Sequence, residues 1–501
     1  MPNALYYGDN LDVLRESIAS ESVDLVYLDP PFNSNASYNV LFKAPSGSGS
    51  QAQIEAFEDT WHWSQEAEST FDQVMRSGNT GAADLLRAIR SFLGENDLMA
   101  YLTMMSIRLL ELRRVLKKEG SLYLHCDPTA SHYLKLVLDA VFGPLNFHNE
   151  IIWKRYGAHN DSKTYGRVHD VILFYTKSSI FTFHKQHEAY DEEYVRERFK
   201  FTDPDGRRWA EQNLASPTPR PNLMYPFLAK NGVVYNHPPN GWKYKEQRLQ
   251  ALDDANGLHY PAKSGGRLRL KNYFDVRLGV PAQDIWATVG AIGGTSPERL
   301  GYPTQKPVAL LERVVATSSN PGDLILDPFC GCGTAIHAAQ KLDRQWLGID
   351  VTHLAISLIE RRLKDAFPGI IFEIHGTPSD LEGARDLAQR DKYQFQWWAI
   401  SLIEAQPYGG KKKGADGGID GLIYFRSDAK TTERAIVSVK GGGVSVPMVR
   451  DLKGVLDREK APIGVFLTLE PPWRRKPRRP ASTPLGSGSI RACRSSPLSR
   501  R

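Results

Sequence analysis

Asp323-Leu324-Ile325-Leu326-Asp327-Pro328-Phe329-Cys330-Gly331-Cys332-Gly333-Thr334 decides how this chain is read. Asp323–Asp327 is the apolar run of a buried strand, and a glycine-rich turn follows it. Ala335–Leu342 has helical character, and Gln345-Trp346-Leu347-Gly348-Ile349-Asp350 is a second strand ending in a carboxylate. A strand, a glycine turn, a helix and a strand closed by an acid form a nucleotide- or cofactor-binding half of an α/β fold. Gly331 and Gly333 let the backbone turn tightly and come close to a ligand. The third glycine of a dinucleotide fingerprint is missing, and the turn holds no Gly-Lys-Ser/Thr triplet, which argues against a triphosphate loop. Asp327, at the first strand's tip, would repel a pyrophosphate and suits a ligand with a cationic amino group. That favours S-adenosylmethionine over NAD. Asp350 lies where an acid accepts hydrogen bonds from ribose hydroxyls.

Far upstream, Val23-Asp24-Leu25-Val26-Tyr27-Leu28 is another buried strand, and Asp29-Pro30-Pro31-Phe32 ends it. Two prolines cannot continue a ladder, so a carboxylate, a stiff carbonyl and an aromatic ring collect at a strand's carboxyl end. Ligands bind at that edge in open α/β sheets. The plain alternative is a strand followed by a turn. The tetrapeptide suits methyl transfer to an exocyclic amine on a base, whose lone pair is delocalised into the ring. Hydrogen bonds from the two N–H groups to the Asp29 carboxylate and the Pro30 carbonyl would localise that pair, and Phe32 would stack on the ring. The base would have to leave the duplex first, at roughly a few kcal/mol. Cys330 and Cys332 sit in the cofactor turn. They have neither a nucleophile's place nor a second Cys/His pair at zinc spacing.

Between these stretches the chain alternates. Leu5–Tyr7, Val23–Leu28 and Ser121–Asp127 read as strands, with helical segments from Leu11, over 97–118 and over 130–142. Pro45-Ser46-Gly47-Ser48-Gly49-Ser50 reads as a flexible linker, placed where a lid over the site would sit. Residues 151–300 break the pattern. There Trp153, Tyr156, Tyr165, Trp209, Tyr225, Trp242, Tyr244 and Tyr273 are interleaved with lysines and arginines, and 22 Lys/Arg face 16 Asp/Glu. The mixture suits a surface that touches phosphates and stacks on bases, or else aromatics that build a core of their own. The helix expected at 308–318 restores regular α/β structure.

The order Asp29-Pro30-Pro31-Phe32, variable basic region, Tyr302-Pro303-Thr304-Gln305-Lys306-Pro307, Asp327-Pro328-Phe329-x-Gly331-x-Gly333 resembles the beta group of DNA amino-methyltransferases over about residues 1–365. The resemblance implies a Rossmann-like α/β methyltransferase with circularly permuted motif order. Its catalytic half would be 1–150, its inserted target-recognition region 151–300 and its cofactor-binding half 301–380. It also implies that Asp327, Phe329, Gly331 and Gly333 line the cofactor pocket, that Asp350 holds the ribose, that Thr304 and Lys306 lie near the methionine carboxylate, and that Asp9 lies near the adenine. Asp29 in place of Ser favours an adenine target over cytosine. Tyr302 stands where His is common. The alternatives are a cytosine exocyclic-amine methyltransferase and a DNA-binding subunit of a restriction complex with degenerate catalysis.

Residues 390–470 are a separate problem. A helical segment at 393–405 is followed by Gly417-Gly418-Ile419-Asp420 and by strands that carry Ser438-Val439-Lys440. A hairpin placing Asp420 beside Lys440 resembles the restriction-endonuclease-like α/β fold, in which two acids bind Mg2+ and a lysine positions water. Here Ser438 occupies the second acid's position, and Glu404 is the candidate substitute. Cleavage is therefore not expected to follow from the fold alone. Residues 471–501 hold nine Lys/Arg and no acid, and without them the whole-chain charge of +6 becomes −3. Their Pro/Arg/Ser composition predicts a disordered basic tail, native or produced by a frame change. Met1–Asn10 is no secretory leader, and no apolar run has membrane-spanning length. Four cysteines (Cys126, Cys330, Cys332, Cys493) give no disulfide framework. The expectation is a cytoplasmic protein of prokaryotic type that acts on double-stranded DNA, with a restriction subunit and a second copy of itself as partners and no membrane.

Overall fold

The computed structural model describes residues 2–31, 37–43, 49–58, 62–157, 163–263, 265–274, 279–302, 304–408, 417–426, 432–469 and 492–494. Residues 37–43 and 49–58 form an antiparallel strand pair. Phe32, Pro303 and most of the expected linker lie outside the described residues.

Nine strands form one sheet: β1 (Ala4–Tyr7), β2 (Val23–Leu28), β3 (Leu116–Cys126), β4 (Phe147–Lys154), β5 (His169–Thr176), β6 (Ile285–Trp286), β7 (Leu324–Asp327), β8 (Gln345–Asp350) and β9 (Glu373–His375). Their spatial order is β6-β4-β5-β3-β2-β7-β8-β1-β9. Only β5 runs against its neighbours; the other adjacent pairs are parallel. β2 and β7, some 300 residues apart in the chain, lie side by side with Leu25 opposite Ile325 and Val26 opposite Leu326. The two stretches that carry the chemistry thus end as neighbours at the centre of the sheet. Asp24, a charge inside an otherwise apolar strand, is explained here. Its carboxylate accepts from Lys117 Nζ at 2.8 Å and from the Leu324 amide at 2.9 Å, tying β2 to β3 and β7.

Helices cover both faces of the sheet. On one side Asp97–Val115 is buried without interruption from Met99 to Leu109. The helix stops at Val115, short of the expected 118, and Leu116–Gly120 already belongs to β3. A Cβ on Gly120 would lie 2.6 Å from the Leu116 side chain. On the other side Val308–Ser318, Thr334–Lys341 and His353–Ala366 bury Leu310, Leu311, Val314, Ile336, Ile356 and Ile359.

The chain separates into two compact units, and the second is Lys185–Ala282. It is narrower than the expected 151–300, because β4, β5 and β6 are hydrogen-bonded members of the large sheet. Within this unit most of the interleaved aromatics serve a core of their own. Trp209 and Trp242 are buried, Tyr225 and Tyr244 pack beside Trp242, and Phe201 stacks on Trp209 at 4.4 Å. Several of its cations are also occupied. Lys271 pairs with Asp203, and Arg208 donates to the Val195 and Phe199 carbonyls.

The C-terminal segment adds helices Leu381–Arg390 and Lys392–Ser401 and a smaller sheet. Gly421–Arg426 and Thr432–Lys440 form a hairpin, and Val446–Glu459 crosses to Ile463–Thr468, which runs parallel to the second hairpin strand. Phe395, Trp397, Ile400 and Val437 share a core with Tyr302, Cys332 and Leu354 of the cofactor half. The expected disordered tail, 471–501, lies outside the described residues except for Ala492–Arg494. Contrary to expectation, those three residues pair as a strand with Ile463–Val465, closing the open edge of the smaller sheet.

Candidate active site

Parallel strands point their carboxyl ends the same way, so β2, β7, β8 and β1 deliver Asp29, Asp327, Asp350 and Gly8-Asp9 to one edge. A cavity of about 280 Å³ opens there. Asp9, Asp29, Pro30, Pro31, Thr304, Lys306, Asp327, Phe329, Gly331 and Asp350 all line it. Of the methyl-transfer residues named from sequence, only Phe32, outside the described residues, and Gly333 are missing from the wall.

Gly333 has a different task. It caps Thr334–Lys341 at φ +73°, and a Cβ would lie 2.8 Å from Ile359. It therefore lets the turn seat against the helix His353–Ala366 rather than lining the pocket. Gly331, at φ +50°, does face the cavity, and a Cβ there would press on the Tyr302 ring at 3.3 Å. Its amide donates to Asp350 Oδ2 at 2.9 Å, while Asp350 Oδ1 accepts from the Thr352 amide and hydroxyl at 2.9 and 2.8 Å. Burial outweighs these bonds and pushes the Asp350 carboxyl up to about 6.

Lys306 does not stand free for a ligand carboxylate. It is buried, and its ammonium pairs with the Asp29 carboxylate. Asp9 is likewise engaged. It caps the helix Asn10–Ser17 through the Leu11 amide and takes a two-oxygen fork from Arg108 at 2.9 and 3.0 Å. Arg108 also donates to Asn10, whose amide holds the Pro328 carbonyl at 2.8 Å. Sequence reasoning missed Arg108. It lies in a helix that reads as core, and the only signal was a cation inside that apolar run. Asp327 is buried and bonded to the Phe329 amide at 3.1 Å, and burial pushes its carboxyl well above the ordinary range.

Both cations of the cavity are engaged by Asp9 and Asp29, and burial holds Asp327 and Asp350 toward their protonated forms. A ligand carrying positive charge would favour their ionised forms, whereas a pyrophosphate would meet no cation set aside for it. S-adenosylmethionine meets this condition, with Gly331 giving its backbone close approach and Asp350 offering acceptors for hydroxyls.

A second cluster stands behind the cavity wall. Tyr27, which lines the cavity, hydrogen-bonds His125 Nδ1 at 2.8 Å, and His125 Nε2 meets Asp170 Oδ2 at 3.0 Å. Arg155 donates to both Asp170 oxygens at 2.7 and 2.9 Å. The sequence shows these residues only as parts of strands.

The model of the DNA methylase family matches residues 23–361, about two thirds of the chain. The chain belongs to that family. It is an S-adenosylmethionine-dependent DNA methyltransferase, and residues 387–471 match a restriction endonuclease family model. The methylase is 26% identical to the type II methyltransferase M.EcaI of Enterobacter cloacae over 365 residues, 72% of this chain and 69% of that protein. It is 26% identical over 356 residues to the Mod subunit of the type III restriction-modification enzyme StyLTI of Salmonella typhimurium, 68% of this chain and 50% of that protein. Among solved structures, the TTHA0409 protein of Thermus thermophilus, complexed with S-adenosyl-L-methionine, is 16% identical with a TM-score of 0.36, covering 74% of this chain and 99% of its own.

Among the described residues, the restriction-endonuclease-like segment shows no cation site of the expected kind. Asp420 is buried and folded back on its own hairpin, accepting from the Val439 amide at 2.6 Å. Ser438 is buried, Lys440 is half-buried, and Glu404 occupies an exposed turn at φ +53°. Among the described residues no group of three His, Cys, Asp or Glu side chains could hold a metal ion. These residues do not fit Mg2+. Among the described residues, no helix is long and apolar enough to cross a membrane.

Proposed function

We propose that this methylase transfers a methyl group to the exocyclic N6 amine of an adenine turned out of double-stranded DNA, as the modifying half of a restriction-modification system. The observation that carries this reading is the meeting of Asp29-Pro30 and Asp327 on adjacent strand tips in one cavity. Bound there, S-adenosylmethionine supplies an electrophilic methyl group on a sulfonium. The chain's part is to position. Asp29 and the Pro30 carbonyl accept from the amine, Lys306 fixes the Asp29 carboxylate, and Phe32 stacks on the base. Asp327 and Phe329 lie against the donor, Thr304 is placed for its methionine end, Asp350 for its ribose and Asp9 for its adenine.

The hairpin joining β4 to β5 emerges at the same edge of the sheet, because Lys154 pairs with His169 while Cys126 of β3 pairs with Val171. On it Tyr165 is wholly exposed, flanked by exposed Lys163 and Arg167, and this is the proposed phosphate-contacting lip. The beta-group assignment rests on the motif order. The proposed partners are a restriction subunit, as in the enzyme of the StyLTI Mod relative, and a second copy of the chain.

Incubation with unmethylated DNA and methyl-labelled donor, followed by nucleoside analysis, tests the reading. N6-methyladenine is expected. N4-methylcytosine would transfer the assignment to the family's other target, and no label in DNA would end it.

A further inference from the structure

Methylating an amine leaves a proton to dispose of. The Asp29 carboxylate accepts the amine's hydrogen bond, but its charge is already shared with the Lys306 ammonium. Two residues back on the same strand, Tyr27 also lines the cavity, and behind it runs the chain His125, Asp170, Arg155. All of these but Arg155 are almost inaccessible to water: Tyr27 is 2% exposed, His125 0% and Asp170 2%. We propose that Tyr27, backed by His125 and Asp170, takes up the proton that the target amine releases. The proposal rests on the methyl-transfer reading above.

The donor and acceptor roles follow from the partners. An ionised Asp170 can only accept, so His125 carries its hydrogen on Nε2. Arg155 already balances the Asp170 charge, which leaves the His125 Nδ1 lone pair to the Tyr27 hydroxyl. Burial works against the Asp170 charge. Hydrogen bonds from His125 and Arg155, with the charge of Lys306, nonetheless hold the carboxyl down at about 2. Burial, then the nearby Asp29, Asp327 and Asp170, pushes the Tyr27 hydroxyl well above its ordinary range, so it does not lose a proton unaided. It passes one on as it receives one. The step balances. The amine lone pair forms the N–C bond, and the C–S bond breaks with its electrons going to sulfur. As the nitrogen turns pyramidal, the N–H that faced the Pro30 carbonyl gives its proton to Tyr27 Oη, while Tyr27's own proton goes to His125 Nδ1 and the other N–H stays on Asp29. The imidazolium so formed faces the Asp170 carboxylate, and the proton returns to water through Tyr27 once the product has left.

The test is single-turnover methyl transfer by the full chain in H2O/D2O mixtures, wild type against Tyr27→Phe, with donor affinity by calorimetry and melting measured alongside. A relay predicts a bowed proton inventory for wild type. It also predicts a roughly hundredfold slower step in Tyr27→Phe with donor affinity within about twofold. A Tyr27→Phe rate equal to wild type would overturn the inference alone, as would a rate that falls only in step with donor affinity and melting, since that marks a staple between strand tips. Should Tyr27→Phe fail to fold, a linear wild-type inventory overturns the relay and a bowed one supports it. No labelled methyl in DNA from wild type would overturn the methyl-transfer reading and this inference together.

Discussion

The large sheet and the small one treat their acids in opposite ways. In the large sheet, strand tips present Asp29, Asp327 and Asp350 to a shared cavity, and Lys306 pairs with Asp29. In the small sheet Asp420 turns inward to the Val439 amide, and the position that would take a second acid is buried Ser438. Both are α/β arrangements with a carboxylate beside a strand end. One leaves its acids facing a ligand-sized space, whereas the other spends its acid on closing a hairpin. A fold match therefore carries chemistry only where the polar groups remain available.

The sharpest way to break that contrast is a pair of equivalent substitutions. Asp29→Ala should lower methyl transfer by about a thousandfold, since it removes an acceptor aimed at the reacting amine. Asp420→Ala should leave transfer within about twofold while destabilising the C-terminal segment by about 1–3 kcal/mol, because the buried Val439 amide loses its partner. Labelled-methyl assays and chemical denaturation read the two effects. An exchange of roles between the two acids would refute the comparison.

A smaller effect belongs to Gly333→Ala. The φ of +73° and the closeness of Ile359 should cost about 1–3 kcal/mol of stability, with donor affinity reduced only through the displaced turn. Denaturation and calorimetry on the same variant separate the two.

Donor affinity should also depend on pH. With the Asp350 carboxyl raised to about 6, it is charged and able to accept above that pH and takes up a proton below it. Affinity is therefore full at pH 7.5 and falls as pH drops through 6, by about fourfold at pH 5.5. Calorimetry across that range checks the sign, and tighter binding at low pH would exclude Asp350 as an acceptor for the donor's hydroxyls. The smallest expected effect is none at all: DNA incubated with the protein and Mg2+ should remain intact. Nicking abolished by Lys440→Ala would restore a nuclease role to the small sheet.

Much of the large sheet was legible because its signals are local. Val23–Leu28, Leu324–Asp327 and Gln345–Asp350 are short apolar runs, each closed by an acid or a turn, and the observed strands match them. The cavity lining was legible for the same reason, since strand tips declare themselves in sequence. Lys306 and Asp29 were both named, but their pairing was not. Asp29 lies 277 residues away, and no periodicity reports such a pairing. The Tyr27–His125–Asp170 chain was hidden in the same manner, with each member on a different strand. The aromatics of 151–300 left two readings open because Trp and Tyr beside Lys and Arg look alike whether they stack on bases or on one another. Burial decides between the two, and it depends on tertiary packing. The boundary of that region moved because β4 and β5 are joined as a hairpin, without the crossover helix that announces a parallel pair, and the whole of Lys185–Ala282 separates β5 from β6.

The pairing of Val26 with Leu326 also sets a clock. A ribosome at about 5–20 residues per second needs roughly 15–60 s to make the 300 residues between them. Through that interval β2 emerges with one flank unpaired, and the cavity wall is without Asp327, Phe329, Gly331 and Asp350. A chain that stops before β7 carries only part of that wall.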